Sequence, residues 1–322
     1  QLHLMLYDEL IRRAGPGCVE TGWSVERAET EGEEAVLYLK NATGETRVER
    51  GAVAIGADGI HSAIRAQMYP QEGNPVWGGA VLWRGTTRAV PFLTGASMVM
   101  VGYAGLRFVS YPISRPDPET GEALINWIAN LNYDPDDHWN REDWNREAKL
   151  EDFLPRFEEF RFDWLDVPAL IRAADKVFEY PMVDRDPLPR WSFGRVSLMG
   201  DAAHAAYPVG SNGAGSAIID ARKLGAAFVA RGLTPAALQA YEDEMRPITE
   251  KVILTNRVAG PDSILDVVEE RSGGVFEDIE EVIPRDELAA HAANYKAVAG
   301  YGIEAINSAP PTIPPGARVA EG

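Results

Sequence analysis

The fold is decided by residues 196–215, which read Val196-Ser197-Leu198-Met199-Gly200-Asp201-Ala202-Ala203-His204-Ala205-Ala206-Tyr207-Pro208-Val209-Gly210-Ser211-Asn212-Gly213-Ala214-Gly215. The run from Val196 to Gly200 is apolar without polar alternation, which is typical of a strand buried on both faces in a parallel sheet. Such a strand places the Asp201 carboxylate at its C-terminal end, where open α/β sheets bind ligands. The glycines let backbone approach a flat ligand closely. The helix predicted from about Gly213 to Arg231 directs its free N–H groups at an anion or a polarised carbonyl.

A second run, Ala52-Val53-Ala54-Ile55-Gly56, has the same apolar pattern and leads into Ala57-Asp58-Gly59. It also predicts a buried strand of a parallel sheet. From glycine spacing alone, a glycine-rich turn with a helix cap explains residues 200–215 as well as a ligand site does. Gly213-Ala214-Gly215-Ser216-Ala217-Ile218 lacks the third small residue of a dinucleotide fingerprint, so it is not a Rossmann signature by itself.

The composition excludes several classes of protein. The chain has 322 residues, enough for about two domains, and its 31 basic and 49 acidic residues give a net charge of −18. Nucleic acid is disfavoured as a partner because such binding needs clustered Lys and Arg. No apolar run of about 18 residues and no secretory signal is present, so we expect a cytoplasmic protein without a membrane partner. The single cysteine, Cys18, and the scattered histidines give no support for a disulfide or a metal site.

Local patterns predict the other elements. A helix from Leu2 to Arg13 begins without a capping residue, which we interpret as a sign that the natural protein extends upstream. This helix is followed by a hairpin, then by a strand-rich block that forms a separate antiparallel sheet, and then by a set of helices. The predicted strands are Ala35 to Leu39, Thr46 to Glu49, Val81 to Arg84, Ser97 to Tyr103, Leu106 to Pro112 and Leu124 to Leu131. The predicted helices are Glu142 to Ala174, Gly213 to Arg231, further turns to about Arg257, and Asp286 to Ala299.

Two motifs resemble those of the single-component flavin aromatic hydroxylases. Residues 200–215 resemble the second FAD-binding motif of this family, and Gly56-Ala57-Asp58-Gly59-Ile60-His61-Ser62-Ala63-Ile64-Arg65 is similar to its Asp-Gly motif. Residues 181–191 and Trp83-Arg84-Gly85 narrow the resemblance to the branch of phenazine-modifying and salicylate hydroxylases. The likeness runs from Gln1 to about Arg257.

The resemblance implies an α/β (mixed α+β) fold with a Rossmann-like three-layer FAD-binding domain, a mostly antiparallel substrate-domain sheet and C-terminal helices. We expect residues 1–78 and 181–260 to form the two parts of the FAD-binding domain, with residues 79–180 as the substrate domain between them. Residues 261–307 are then C-terminal helices and 308–322 a flexible tail. The family's opening Gly-x-Gly-x-x-Gly segment has no match here, and a polypeptide without it should bind FAD poorly.

The resemblance also assigns cofactor-binding roles. Asp201 would bond the flavin ribityl chain, while the amides of Ala214 and Gly215 would face the flavin N1–C2=O2 edge. Asp58 would lie near the pyrophosphate, or Asp58 and Ser62 would cap a helix. Arg65 would anchor the motif and meet the nicotinamide cofactor, or serve as an internal ion-pair partner. The full cofactor-binding set is Asp58, Gly59, Arg65, Gly200, Asp201, Gly210, Asn212, Gly213, Ala214 and Gly215.

Two further residues are catalytic candidates. Pro208 would line the pocket beside the reactive flavin C4a position. His204 is a candidate general base, although packing or hydrogen bonding beneath the loop is the favoured interpretation of this residue. The substrate wall should come from the antiparallel sheet, with Arg84 or Arg107 available for a carboxylate. The substrate candidates are Trp83, Arg84, Tyr103, Arg107, Trp127 and Met182, although aromatic residues in strands more often belong to a core.

The function implied is a flavin-dependent monooxygenase in which NADH or NADPH reduces FAD, O2 reacts at C4a, and an electron-rich aromatic substrate is hydroxylated. The protein would position the ring and exclude water. A halogenase or reductase of the same fold is one alternative, although the Trp-x-Trp-x-Ile motif of halogenases is absent. A truncated remnant without catalysis is the other. We expect a monomer or a homodimer.

Overall fold

The computed structural model describes residues 2–103, 105–133, 146–210, 213–258, 263–299 and 307–320. The strands are β1 (Trp23–Glu31), β2 (Glu34–Asn41), β3 (Thr46–Gly51), β4 (Ala54–Gly56), β5 (Val76–Ala89), β6 (Val99–Tyr103), β7 (Leu106–Pro112), β8 (Ala123–Asn132), β9 (Arg161–Phe162), β10 (Leu165–Asp166), β11 (Val177–Asp184), β12 (Ser192–Phe193) and β13 (Val196–Leu198). The α-helices are α1 (Leu2–Ala14), α2 (Ala63–Met68), α3 (Val167–Arg172), α4 (Asp201–His204), α5 (Gly213–Arg231), α6 (Pro235–Val258), α7 (Ser263–Ser272), α8 (Ile279–Val282) and α9 (Arg285–Ala299).

A small sheet of order β12-β13-β4 carries both motif loops. Strand β13 runs parallel to β4, with Leu198 opposite Gly56. Val196 and Leu198 are buried, which matches their apolar sequence. The prediction of two buried parallel strands is therefore confirmed. Since both strands end at the same sheet edge, the residues that follow them become neighbours in space.

The strands β1, β2 and β3 form a three-stranded antiparallel sheet, and the predicted hairpin is confirmed. Its turn is held by Asn41, whose Oδ1 accepts the N–H groups of Thr43 and Glu45 at 3.1 and 2.9 Å. Helix α1 has no buried residue. It is followed by Gly15 with φ of 84°, a left-handed conformation that ends a helix where the sequence predicted.

A larger antiparallel sheet has the order β11-β5-β8-β7-β6. The predicted separate sheet is thus confirmed, with β11 added at its edge. Successive residues of a strand point to opposite faces. One face packs on residues 146–174 and forms a core that includes Val81, Trp83, Phe108, Ile125, Trp127, Phe153 and Phe157. The other face carries Leu82, Arg84 and their neighbours toward the motif sheet.

The long helix predicted from Glu142 to Ala174 is wrong for the described residues 146–174. This segment contains two 3₁₀ turns (Leu150–Asp152 and Leu154–Phe157), the short β9–β10 hairpin and α3. A proline lies in the first turn of the second 3₁₀ helix and of α3, where its missing N–H is tolerated but cannot continue a preceding helix. The aromatic residues instead fill the core beneath the sheet, and the Phe153 ring stacks on Trp83 with centroids 4.9 Å apart.

Helices α5 and α6 pack on each other and cover the motif sheet, and the helix predicted from Gly213 to Arg231 is confirmed. Their core includes Leu198, Ala202, Leu224, Leu238, Tyr241 and Met245. Helix α7 lies against β6. In the tail, the Ala320 N–H lies 3.3 Å from the Phe228 carbonyl of α5. Among the described residues, no helix combines the length and apolar character needed to cross a bilayer.

Candidate active site

Three cavities meet at the edge of the motif sheet. The motif cavity, of about 550 Å³, is lined by Asp58 and Asp201 from the motif loops and by Arg84 from the larger sheet. The edge cavity, of about 580 Å³, runs beside β4 and shares Asp58 and His61 with the motif cavity. The substrate-sheet cavity, of about 100 Å³, lies on the larger sheet and shares Leu82, Arg84 and Pro208 with the motif cavity.

The structure places Asp201 in the wall of the motif cavity, at the first residue of α4. The preceding Gly200 has φ of 60°, a left-handed conformation that favours glycine. The Gly200 N–H donates to Asp220 Oδ2 at 3.0 Å. Gly200 therefore turns the chain so that the exposed Asp201 side chain enters the cavity.

Asp58 caps helix α2, as the alternative interpretation of this residue predicted. Its Oδ1 accepts the Ser62 hydroxyl at 2.6 Å and its Oδ2 accepts the Ala63 N–H at 2.8 Å. The Ser62 Oγ in turn accepts the Arg65 N–H at 2.9 Å. Asp58 is nevertheless exposed and lines both large cavities. Next to it, Gly59 has φ of 79° and leaves the space beside its Cα open.

Arg65 does not line these cavities and is only 1% exposed. Its guanidinium donates to the carbonyls of Ala202 and Ala203 at 3.1 and 2.9 Å and to that of Asp186 at 2.8 Å. It also forms an ion pair with Glu72. The expectation that Arg65 contacts a cofactor is thus corrected. Arg65 is an internal anchor that ties α2 to the C-terminal end of α4.

His204 is likewise buried away from the cavities. Its Nε2 lies 2.6 Å from Asp220 Oδ2, and its ring packs on Trp191 with centroids 5.4 Å apart. A general base must reach the proton that it removes. The candidate role of His204 as a catalytic base is therefore corrected in favour of the packing and hydrogen-bonding role beneath the loop.

The remaining cofactor candidates lie where the loop meets α5. Pro208 stands between the motif cavity and the substrate-sheet cavity. Gly210 ends a 3₁₀ helix, Pro208–Gly210. Gly213 and Ala214 are exposed in the first turn of α5 and Gly215 is half-buried, so their N–H groups remain predicted flavin contacts. Asn212 lies outside the described residues.

The residues present fit an elongated, flat cofactor such as FAD. The motif and edge cavities share Asp58 and His61, so they lie side by side, and we refer to the two together as the trough. Each cavity lies within the range of roughly 300–1,000 Å³ that small-molecule sites occupy. A Cβ at Gly59 would meet nothing within 4 Å, so the backbone there is open to a close ligand. Asp58 and Asp201 supply acceptors for hydroxyl groups along the trough.

The substrate-sheet cavity is walled mainly by apolar side chains. These come from alternate positions of the sheet and are Leu82, Met98, Met100, Val109, Ile128 and Met182. Arg84, Arg107, Tyr111 and Asn130 supply its polar groups. The structure thus brings together Arg84, Arg107 and Met182 of the predicted substrate residues.

Trp83, Trp127 and Tyr103 lie elsewhere, which corrects their expected place in the substrate wall. Trp83 and Trp127 are 0% exposed on the opposite face of the sheet. The Trp127 Nε1–H donates to the Thr87 hydroxyl at 3.0 Å, and Trp83 Nε1 lies 3.2 Å from Glu179 Oε2. Tyr103, at the end of β6, is exposed and lines none of the three cavities in the described part of the chain.

Two residues that support the site were missed by sequence reasoning. Arg185 donates to the carbonyls of Ile60 and Gly73 at 3.0 and 2.6 Å, and its N–H donates to Ala205 at 3.2 Å. It therefore links the two motif loops. Asp220 holds Gly200 and His204 from α5. Asp220 could have been identified as the one acidic residue in the apolar run of α5. Arg185 gave no such signal, because its partners are distant in sequence.

An ion pair joins helix α6 to the end of β11. The Arg257 guanidinium on α6 donates to both Asp184 carboxylate oxygens, at 2.6 and 2.8 Å, and to Asp186 at 2.8 Å. Asp184 is 0% exposed. Burial raises the pKa of the Asp184 carboxyl while Arg257 opposes that rise, and hydrogen bonding to Asp184 raises the pKa of Arg257. Tyr207 lies nearby, and burial raises its pKa to about 12.

Comparisons with known proteins agree with this geometry. Residues 179–255 match the family model described as FAD binding domain. The chain is 39% identical over 260 residues to phenazine 1,6-dicarboxylic acid hydroxylase PhzS of Lysobacter antibioticus, covering 80% of this chain and 64% of that protein. It is 28% identical over 262 residues to salicylate hydroxylase of Pseudomonas putida, covering 74% of this chain and 57% of that protein.

The chain therefore spans less than two thirds of the length of these relatives. A solved salicylate hydroxylase substrate complex superposes with a TM-score of 0.64 at 26% identity, covering 92% of this chain and 74% of that one. The family match falls on β11, the second motif, α5 and most of α6, and it includes the cavity residues from Tyr180 to Pro208. By its two motifs, its fold and these relatives, the chain is similar to the FAD-dependent aromatic-ring hydroxylases.

Proposed function

We propose that this protein is a flavin-dependent monooxygenase that hydroxylates an electron-rich aromatic acid with NADH or NADPH and O2. The observation that carries the proposal is the junction at Leu82, Arg84 and Pro208, where the motif cavity meets the substrate-sheet cavity. A cofactor along the motif cavity and an aromatic ring on the sheet would meet at this junction. The names of the relatives, which include a phenazine dicarboxylic acid hydroxylase and a salicylate hydroxylase, support an aromatic acid as the substrate.

FAD, when bound, supplies the electrons taken from the nicotinamide and the activation of O2. The chain's own residues hold and shield it. Asp201 accepts hydrogen bonds from ligand hydroxyl groups, while Asp58 keeps the Asp-Gly loop in place as the cap of α2. The N–H groups at the start of α5 favour negative charge on the ligand edge nearest to them. Arg65 and Arg185 fix the two loops relative to each other.

The substrate-sheet cavity positions the aromatic ring and excludes water. Its Met, Leu, Ile and Val walls suit a flat apolar ring. Arg84 lies at the boundary of both cavities, and a guanidinium there would orient a ring carboxylate by charge-assisted hydrogen bonds. A fixed orientation of the ring toward the cofactor lowers the entropic cost of reaching a reactive geometry. We also propose a cytoplasmic protein that is a monomer or a homodimer.

The test uses the purified chain with added FAD. In the presence of excess FAD, we expect the chain to shift the flavin absorbance, and NADH or NADPH consumption to rise when an aromatic acid is added. Label from isotopic O2 should enter the product. The variant Asp201→Ala should lose bound flavin, whereas the exposed Asp175→Ala should keep it. A protein that takes up no FAD would favour the catalytically inert remnant, and halide-dependent product would favour a halogenase; either result overturns the proposal.

A further inference from the structure

The charged groups of the substrate-sheet cavity are few. Among the described lining residues, Arg84 and Arg107 are the charged ones, and they come from β5 and β7, the two strands on either side of β8. The polar neutral groups are Tyr111 and Asn130. Two arginines in one small apolar cavity would attract a dianion, unless one of them is already neutralised.

Arg107 is neutralised by a residue from outside the sheet. Its Nη2 forms an ion pair with Oδ1 of Asp266, which lies on helix α7. The Arg107 side chain is 17% exposed, so its charge is partly shielded from water, while that of Asp266 is 42% exposed. Helix α7 packs along β6, the strand next to β7, and this contact brings Asp266 within ion-pair distance of Arg107.

Arg84 has no such partner. No acidic side chain forms an ion pair with it in the described ranges. Its Nε is buried without a hydrogen bond, and so is the Oδ1 atom of Asn130 in the same cavity wall. Buried polar groups of this kind normally have a partner. The Arg84 guanidinium carbon lies 5.8 Å from the centre of the Tyr180 ring, which leaves its N–H groups for a ligand.

The adjoining motif cavity adds charge of the opposite sign. Asp58 and Asp201 line it together with Arg84, which is the one arginine or lysine among its described lining residues. A second carboxylate of a substrate would therefore find no further cation in that direction, where the proposed function places the cofactor. The cavity charges therefore favour a ligand with one carboxylate, directed at Arg84, and an apolar remainder.

We propose that Asp266 is a specificity-determining residue: by pairing with Arg107 it leaves one cation, Arg84, for the substrate, and so selects aromatic monocarboxylates over dicarboxylates and neutral analogues. This inference rests on the proposed function only for the identity of the substrate cavity. Asp266 lies outside both motifs and outside the sheet, on the C-terminal helix α7.

The test measures equilibrium binding to the FAD-supplemented chain, without turnover. The probes are 1-naphthoate, naphthalene-1,5-dicarboxylate and 1-naphthamide, which carry one, two and no carboxylates on the same ring system. The wild-type chain should bind the monoacid about tenfold more tightly than the diacid or the amide. In Asp266→Asn the affinity for the diacid should rise about tenfold, while that for the monoacid changes less than about threefold.

Matched variants distinguish the loss of the Asp266–Arg107 ion pair from the loss of any one negative charge on helix α7. Glu270→Gln removes one exposed acid from the same helix and should leave the diacid-to-monoacid ratio at the wild-type value. The double variant Arg107→Gln with Asp266→Asn restores the charge balance and should also keep that ratio. Arg84→Gln should weaken monoacid binding about tenfold. Circular dichroism establishes that each variant is folded. If Asp266→Asn does not fold, Asp266→Ala replaces it in the binding measurements.

The inference is overturned if Asp266→Asn leaves the diacid-to-monoacid ratio unchanged, or if Glu270→Gln changes it equally. A different result would overturn the proposed function. Charge-selective binding without any labelled oxygen in a product would sink the monooxygenase assignment and leave the role of Asp266 intact. Hydroxylation by the chain, together with an unchanged diacid-to-monoacid ratio in Asp266→Asn, would support the monooxygenase assignment and overturn the role of Asp266.

Discussion

His204 Nε2 lies 2.6 Å from Asp220 Oδ2, and both side chains are almost completely buried. The same Asp220 oxygen accepts the Gly200 N–H at 3.0 Å. One carboxylate from α5 therefore fixes both ends of the short helix that begins at Asp201. Because Asp201 itself is exposed at the cavity, its position depends on contacts that lie beneath it.

Replacing Asp220 by Asn should lower both the stability and the flavin affinity of the protein. The amide removes a buried charged acceptor, which costs about 2 kcal/mol in the free energy of unfolding. Urea denaturation and FAD titration measure the two effects. The exposed Asp243→Asn on α6 is the matched control and should change neither quantity. Unchanged FAD affinity in a folded Asp220→Asn variant would contradict the positioning role.

Gly85 is required for the packing of Trp127 on the core face of the sheet. A Cβ at residue 85 would lie 2.3 Å from Trp127 Cζ2, far inside van der Waals contact. Gly85→Ala should therefore reduce the free energy of unfolding by about 3 kcal/mol, and thermal or urea denaturation measures this loss. Gly51→Ala at the end of β3 meets nothing closer than 3.7 Å and should be nearly neutral. Equal effects of the two substitutions would refute the argument.

Arg257 should contribute strongly to stability because Asp184 is buried against it. In Arg257→Met the Asp184 carboxylate loses its partner, which costs about 3 kcal/mol. Protonation of the unpaired carboxyl would relieve part of the cost, so the loss should be smaller at pH 5 than at pH 8. Denaturation at the two pH values measures it. The exposed pair of Arg285 and Glu280 provides the control, and Arg285→Met should have no measurable effect.

Stability should fall at alkaline pH because of Tyr207. Burial raises the pKa of Tyr207 to about 12, whereas an unfolded tyrosine ionises near pH 10. The folded state thus keeps the proton longer than the unfolded state. The contribution is complete below about pH 10 and is lost as the pH rises toward 12. Tyr207→Phe should flatten this part of the stability profile in urea denaturation, and the part that remains should come from Tyr69 and Tyr241, whose pKa values burial also raises.

The motif sheet and its loops could be predicted from the sequence because their signals are local. The apolar runs ending at Gly56 and Gly200 predicted parallel strands, and both strands formed. Parallel strands end at the same edge of a sheet, and the residues that follow them lie there together. The shared cavity of Asp58 and Asp201 could therefore be predicted without knowing how the intervening chain folds.

The faces of the larger sheet could be predicted only in part. Trp83 and Arg84 are adjacent, so in a strand they cannot both line one cavity. The period of two separates the residues into two sets, but which set faces the core depends on residues 146–174, whose packing is not local. The structure buries Trp83 against Phe153 and turns Arg84 to the cavity.

The sequence could not decide between the alternative roles of Arg65 and His204 for a related reason. A motif shows which residue types recur beside a ligand, but not which of them face it. The Arg65 guanidinium finds its acceptors 137 and 138 residues away, at Ala202 and Ala203. His204 finds Asp220 across a loop of which part lies outside the described residues. Such pairings follow from the tertiary structure alone.

The parallel pairing of β4 with β13 joins chain segments that the whole larger sheet separates in sequence. The chain enters the larger sheet at Val76 of β5 and leaves it at Asp184 of β11, and these two residues pair on adjacent strands about 4.8 Å apart. Any insert whose ends meet that spacing would leave the two motif loops in place. A protein built this way can exchange its larger sheet by recombination while its motif loops stay unchanged.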